Sequence, residues 1–201
     1  MKNKKKLQFG QSLLETIFAI GILLIVLAAI LALVTSSVIG QKESESQIIA
    51  NNLGREAIEA VRNIRDSNWL GNQQWDLGLV DPVTASGYTA ARADISDTGS
   101  WQLSFFSDQE INNKDLLYVS PLGIYSHNPI GSEQSLFSRH LTLESICQGK
   151  DLAGNYLAEV IKRTCDQTEL KVGIKVKAIV QWQERGRLRQ VVLDDLIYEW
   201  K

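Results

Sequence analysis

From Ile17 to Val34 the chain carries no charged residue, and only Gly21 interrupts an apolar run of 18 residues. Eighteen is the lower limit for a helix that crosses a bilayer. The run therefore argues for a membrane-spanning helix near the N-terminus, with a transmembrane segment over about residues 13–38, and against a purely cytosolic enzyme. The rest of the chain is ordinary. Hydrophobic residues at 44% and charged residues at 22% are close to globular averages, so the chain has the means to build a core. Three Pro and 14 Gly exclude collagen-like and proline-rich classes. A length of 201 residues suits one domain with an appendage.

Charge is distributed as unevenly as hydropathy. The first ten residues hold Lys2, Lys4, Lys5 and Lys6 and no acid. Lysines ahead of a membrane helix keep the N-terminus cytoplasmic and send the remainder outward. A cleavable secretory signal would want a shorter apolar core and a small-x-small site after it, whereas Thr35-Ser36-Ser37-Val38-Ile39-Gly40 follows this longer one. Of the 21 basic and 23 acidic residues, removing those four lysines leaves 17 against 23, a body with net charge −6. Such a body has no bulk attraction for phosphate backbones, so a nucleic-acid partner is not expected.

Glu15 is the anomaly in the N-terminal helix. A carboxylate there needs a partner. It lies five residues after Gly10 in the series Gly10-Gln11-Ser12-Leu13-Leu14-Glu15. If the chain were cut after Gly10, the new α-amino group of Gln11 would sit one helical turn from Glu15, close enough to neutralise it within a chain or between axially offset neighbours. A basic leader, Gly10, Glu15 five residues on and then an unbroken apolar helix, in that order, resemble the class III signal of type IV pilins and type II secretion pseudopilins. The resemblance implies a leader peptide over residues 1–10, cleavage between Gly10 and Gln11 by a membrane prepilin peptidase, N-methylation of Gln11, and an assembly role for Glu15. Family members commonly have Phe at the first mature position, where this chain has Gln11, and often a Pro partway along the apolar stretch, whereas the first Pro here is Pro82. A plain single-pass anchor in front of an extracytoplasmic domain is the alternative; it accounts for the lysines and the apolar run but not for Gly10 and Glu15.

The helix is expected to continue past the membrane. Ile49, Leu53, Ala57, Ala60, Val61 and Ile64 recur at spacings of three and four, one apolar stripe. Arg55, Glu59 and Arg62 take other faces as solvated pairs. With Ser67-Asn68 as the stop, residues 11–66 form the N-terminal helix, about 80 Å long, and residues 67–201 a β-rich globular head.

Turn signals at Gly71-Asn72, Asp81-Pro82, Ser86-Gly87 and Thr98-Gly99 make residues 69–115 loop-rich, with Trp101–Phe106 as a strand. A hairpin is expected over residues 116–127 and a strand over 137–146. Val172, Ile174, Val176, Ala178, Val180 and Trp182 fall on one face at period two, with Lys175 and Lys177 opposite; Gln183 to Arg187 is a turn, and Leu188–Trp200 returns. The fold class is α+β: a long N-terminal helix packed by its second half on a C-terminal antiparallel sheet. The segment 51–66 and the closing Val180-Gln181-Trp182 … Arg187 … Trp200 look like bacterial minor-pilin sequences, which implies the pilin fold.

Cys147 and Cys165 form no CxxC pair and no zinc set. With the head outside the cytoplasm, a disulfide between them would close a loop of 17 intervening residues, worth roughly 3 kcal/mol in the chain-entropy model; two separate buried thiols are the other reading. His127 and His140 have no ligand at i+4, and no nucleophilic triad or phosphate loop is present. Asp94-Ile95-Ser96-Asp97-Thr98-Gly99 begins like a calcium loop, but its twelfth position is Phe105, so a metal-free Asp turn is expected. No catalytic residue, metal or cofactor is expected.

The leading expectation is a structural subunit, a minor pilin or pseudopilin of a type IV pilus-like or type II secretion-like filament. Its implied partners are the prepilin peptidase, other pilin subunits, an inner-membrane assembly platform and membrane lipid. Its implied location is the cell membrane, N-terminus cytoplasmic and head extracytoplasmic, then the filament or cell surface. A competence pilin that binds DNA for uptake is the alternative; it would need Arg185, Arg187, Arg189, Lys175 and Lys177 to form one basic patch.

Overall fold

A computed structural model describes residues 9–80, 90–107, 110–151 and 153–199, with the side chains of 9–12, 112 and 113 outside that description. The turn signals at Asp81-Pro82 and Ser86-Gly87, most of the basic leader, and Trp200 lie outside the described residues. The chain divides into two compact units, Met1–Ser46 and Gln47–Lys201.

In the first unit every described residue is helical. Helix α1 spans Phe9–Leu70, and its residues from Leu13 to Val38 are all exposed, with Ile25 and Leu33 each 72% accessible. No charge and no Pro interrupts it between Glu15 and Lys42. By length and composition this is a helix able to cross a membrane.

In the second unit α1 runs from Gln47 to its end at Leu70, four residues beyond the expected stop at Asp66. Ser67 and Asn68 do not cap it. Asn68 Nδ2 instead donates to the carbonyls of Trp75 and Leu77, at 3.1 and 2.7 Å, and ties down the loop that follows. The stop is Gly71-Asn72: Gly71 N bonds Ser67 O, and Asn72 takes φ +53°, the left-handed conformation that Asn tolerates at a helix end.

The remaining elements are β1 (Ala90–Ile95), β2 (Trp101–Phe106), the single turn α2 (Ile111–Lys114), β3 (Leu116–Val119), β4 (Tyr125–Ser126), β5 (Glu133–Gln148), β6 (Val160–Lys162), β7 (Leu170–Glu184) and β8 (Arg187–Tyr198). The eight strands among the described residues join one antiparallel sheet organised on β5. One edge of β5 pairs with β7 from Phe137↔Trp182 to Gln148↔Leu170. Its other edge receives β3, then β1, then β6. The sheet is thus an α+β partner for the second half of α1.

Strand β1 lay inside a segment whose turn signals read as loop. Its sequence AARADI has a single β-branched residue, Ile95, and no aromatic, so the local signal that marks strands is weak. Its alanines are chosen for size: Ala91 and Ala93 share one buried cluster with Ala57 and Ala60 of α1. That cluster also holds Val61, Ile64, Leu141, Leu143, Ile174, Val176 and Ile197, and a second joins Ala50 and Leu53 to Leu117, Phe137, Val180 and Trp182. Gly54 sits where a Cβ would lie 2.9 Å from Leu193 Cδ1, so the missing side chain lets α1 approach β8.

Candidate functional site

Gly10 and Gln11 fall within α1, just after its first residue, and Glu15 follows one turn later. Around Glu15 the side chains of Leu13, Leu14, Ile17 and Phe18 are each more than 60% exposed. Among the described residues Glu15 has no hydrogen-bond or ion-pair partner. The side chain of Gln11 lies outside the described residues. The arrangement is one carboxylate on a helix that carries no other charge until Lys42.

Cys147 and Cys165 are joined as a disulfide, with Cα atoms 5.4 Å apart. Cys147 is the next-to-last residue of β5 and is buried, and Cys165 follows β6. The bridge and Ser145 Oγ, which donates to Arg163 O at 3.2 Å, pin the far end of the loop back onto β5. Glu169 lies beside the two sulfurs, but sulfurs bonded to each other offer no thiolate to a metal. Removing the bridge by replacing both cysteines with serine should cost about 2–5 kcal/mol of stability. Labelling of the denatured, unreduced protein should find no free thiol; full labelling of both cysteines would refute the bridge.

The five basic residues proposed as a patch do not converge. Arg185 and Gly186, with φ +51° and +74°, form the β7–β8 turn. Lys175 lies between Glu144 and Leu196 in the sheet register, and Lys177 between Thr142 and Asp194, on the face opposite the buried Ile174, Val176 and Ala178. Arg187 and Arg189 stand across from Glu184 and Trp182 near the turn. Ten residues of strand, roughly 33 Å at 3.3 Å each, separate Lys175 from Arg185.

The sequence reading missed a buried polar cluster. Arg139, 1% exposed, projects from β5 on the same face as Phe137 and Leu141. Its Nη1 donates to Leu53 O and its Nη2 to Ala93 O, both at 3.2 Å, and Nη1 lies 3.4 Å from Glu56 Oε2. Burial pushes the Arg139 guanidinium down from its ordinary range, against the pull of Glu56 and Asp94. Asp94 belongs to β1, not to a metal loop: its Oδ1 accepts from His127 N at 3.0 Å and pairs with His127 Nδ1 at 2.8 Å. His127 Nε2 lies 3.0 Å from Arg139 O. Burial works to raise the Asp94 carboxyl, but hydrogen bonds from His127 and the charges of His127 and Arg92 outweigh it and hold it below the usual range. The sequence signal was an Arg at even spacing between apolar residues of one strand face. The cluster locks α1, β1, β5 and the β4 end together; its partners are all within the fold.

A cleft of about 910 Å³ lies between the end of α1, the loop to Val80 and β2. Its charged groups, Asp76 and Lys171, are already paired at 2.6 Å, and no histidine lines it. Comparison with protein-family models, with curated proteins and with solved structures found no match to this chain.

Proposed function

We propose that this chain is a structural subunit of the type IV pilin-like family, a minor pilin or pseudopilin, and not an enzyme. The observation that carries the reading is the placement of Gly10 directly before an apolar helix in which Glu15 is the only charged residue between Lys6 and Lys42. Two further features support it. Helix α1 changes character along its length, exposed and apolar up to Val38 and one-sidedly buried from Ala50 to Ile64. An antiparallel sheet covers that second half, as the pilin fold requires. A disulfide-bridged head also suits a compartment outside the cytoplasm.

On this reading the lysine-rich leader stays cytoplasmic. A prepilin peptidase removes residues 1–10 and methylates the amine of Gln11. The mature subunit then waits in the membrane, head outward, until an inner-membrane platform drives it into a filament through α1. Intact-mass analysis of protein made beside its peptidase should show loss of residues 1–10, with or without one methyl group. Gly10→Leu should abolish processing, because the residue before the cut must pass close to the peptidase active site. A mature chain starting beyond residue 35 sinks the proposal, and an uncut chain leaves the plain anchor as the better account.

A further inference from the structure

Strand β8 pairs with β7 along its whole length, and among the described residues no other strand pairs with it. Glu199 N donates to Val172 O at 3.0 Å, in register with the pair Gly173↔Tyr198. Hydrogen-bonded pairs alternate in an antiparallel ladder, so the odd residues of β8 turn their backbone groups to β7 and the even ones turn theirs outward. Arg65 Nη1, 3.4 Å from the carbonyl of Tyr198, marks that outer side at the strand's end. Leu188, Val192 and Leu196 on the even positions are 69%, 43% and 47% exposed, whereas Ile197 on the odd face is buried.

Free edges of this length are usually blunted by a bulge, a Pro or charged side chains, Lys above all. The β7–β8 register is unbroken, and β8 contains no Pro, Gly or Lys. Its charges are ordered by sign instead: Arg187 and Arg189 in the first half, Asp194 and Asp195 in the second. A second copy laid alongside in parallel register sets like charges against each other. A copy turned antiparallel and centred on Val192 sets Arg189 opposite Asp195, Gln190 opposite Asp194, Leu188 opposite Leu196, and Val192 opposite itself. No like charges then meet, and the apolar residues are self-complementary.

We propose that the outer edge of β8 is a self-docking edge, at which two copies pair antiparallel about Val192 and join their sheets. The contacts of α1 give the pair a polarity. Gly54 lies at Leu193, Arg62 bonds Asp195, and Arg65 reaches Tyr198, so this stretch of α1 runs in the direction of β8. Antiparallel β8 strands therefore carry antiparallel α1 segments. That is not the repeat of a filament whose helices all point one way. It joins copies of opposite polarity, such as subunits of two filaments lying side by side in opposite directions. The inference stands on the edge alone and does not need the filament reading.

The test uses the full chain in detergent micelles with its native disulfide intact. Sedimentation should show a concentration-dependent dimer. Val192→Lys, at a half-exposed position, should leave thermal melting unchanged and weaken the dimer at least tenfold. Gln190→Lys, which places an ammonium opposite Asp194, should strengthen it several-fold. With a short bismaleimide, Val192→Cys should cross-link to itself, and Leu188→Cys should cross-link to Leu196→Cys in a mixture but not to itself. A monomer at all concentrations, a dimer that survives Val192→Lys, or self-linking of Leu188→Cys would overturn the proposal. A failure of leader processing would leave it untouched.

Discussion

Glu15→Ala is expected to be inserted and cleaved like the wild type and to be lost from filaments. On the reading proposed above, peptidase recognition rests on the Gly10 side of the bond, which the substitution does not touch. Assembly is different, because packing apolar helices side by side moves Glu15 from a surface into a low-dielectric core, where a lone charge is strongly unfavourable. After cleavage the cation within reach is the α-amino group of Gln11, its own or a neighbour's. A neighbour's amine meets Glu15 only at one axial offset, so the pair sets register as well as neutralising charge. Truncating one member leaves the other buried and unpaired, a penalty of about 3–5 kcal/mol. Since each 1.4 kcal/mol is about tenfold, incorporation measured in sheared filaments should fall at least a hundredfold beside an unchanged yield of cleaved subunit. Glu15→Gln, which keeps hydrogen bonding without the charge, should fall between. Normal incorporation of Glu15→Ala would remove the assembly role and, with it, the main physical reason for a charged residue in this stretch of α1.

Features set by local chemistry were legible in the sequence. The apolar run, the stripe from Ile49 to Ile64 and the alternation of β7 are periodic, and periodicity reports burial directly. Of the stripe, Leu53, Ala57, Ala60, Val61 and Ile64 are buried and Ile49 is half-buried; of the alternating face, Ile174, Val176, Ala178, Val180 and Trp182 are buried and Val172 is half-buried. The type of turn at Arg185-Gly186 follows from its Gly. What failed was set by tertiary context. Strand β1 is a strand because α1 and β2 leave room only for small side chains, and alanine carries no local strand signal. Asn68 looked like a stop because its amide so often bonds the nearby backbone; here the amide is spent on Trp75 and Leu77. Asp94 is expected in a metal-free turn rather than in β1, because its partner His127 lies 33 positions away in sequence. Arg139 was visible as a residue on an apolar face, but its acceptors on α1 and β1 were not. The separation of Lys175 from Arg185 was legible, since the first falls on the expected strand and the second in the turn that follows it.

The head should fail first at that Arg139. Arg139→Ala removes the donor to Leu53 O and Ala93 O and strips Glu56 of its closest cation, while leaving a cavity in the wall between α1 and β5. Breaking a buried charged cluster from one side costs about 3–5 kcal/mol. For a chain of this size, each kcal/mol moves the melting temperature by about 2–4 °C, so a fall of about 10 °C is expected, read from near-ultraviolet circular dichroism of the tryptophans. Arg139→Met should cost less. It refills the volume, and the wild-type site is itself imperfect, since Arg139 Nε has no hydrogen-bond partner among the described residues. Asp94 adds a pH dependence with a definite sign. Its carboxyl is held below the ordinary range in the fold, so its contribution is present above the unfolded value of about 4 and is lost as pH falls through the lower folded value. Asp94→Asn should therefore destabilise the head at neutral pH and flatten the acid limb of its stability profile. Equal melting of Asp94→Asn and wild type at neutral pH, with parallel decline in acid, would mean that the Asp94–His127 contact contributes nothing to the stability of the head.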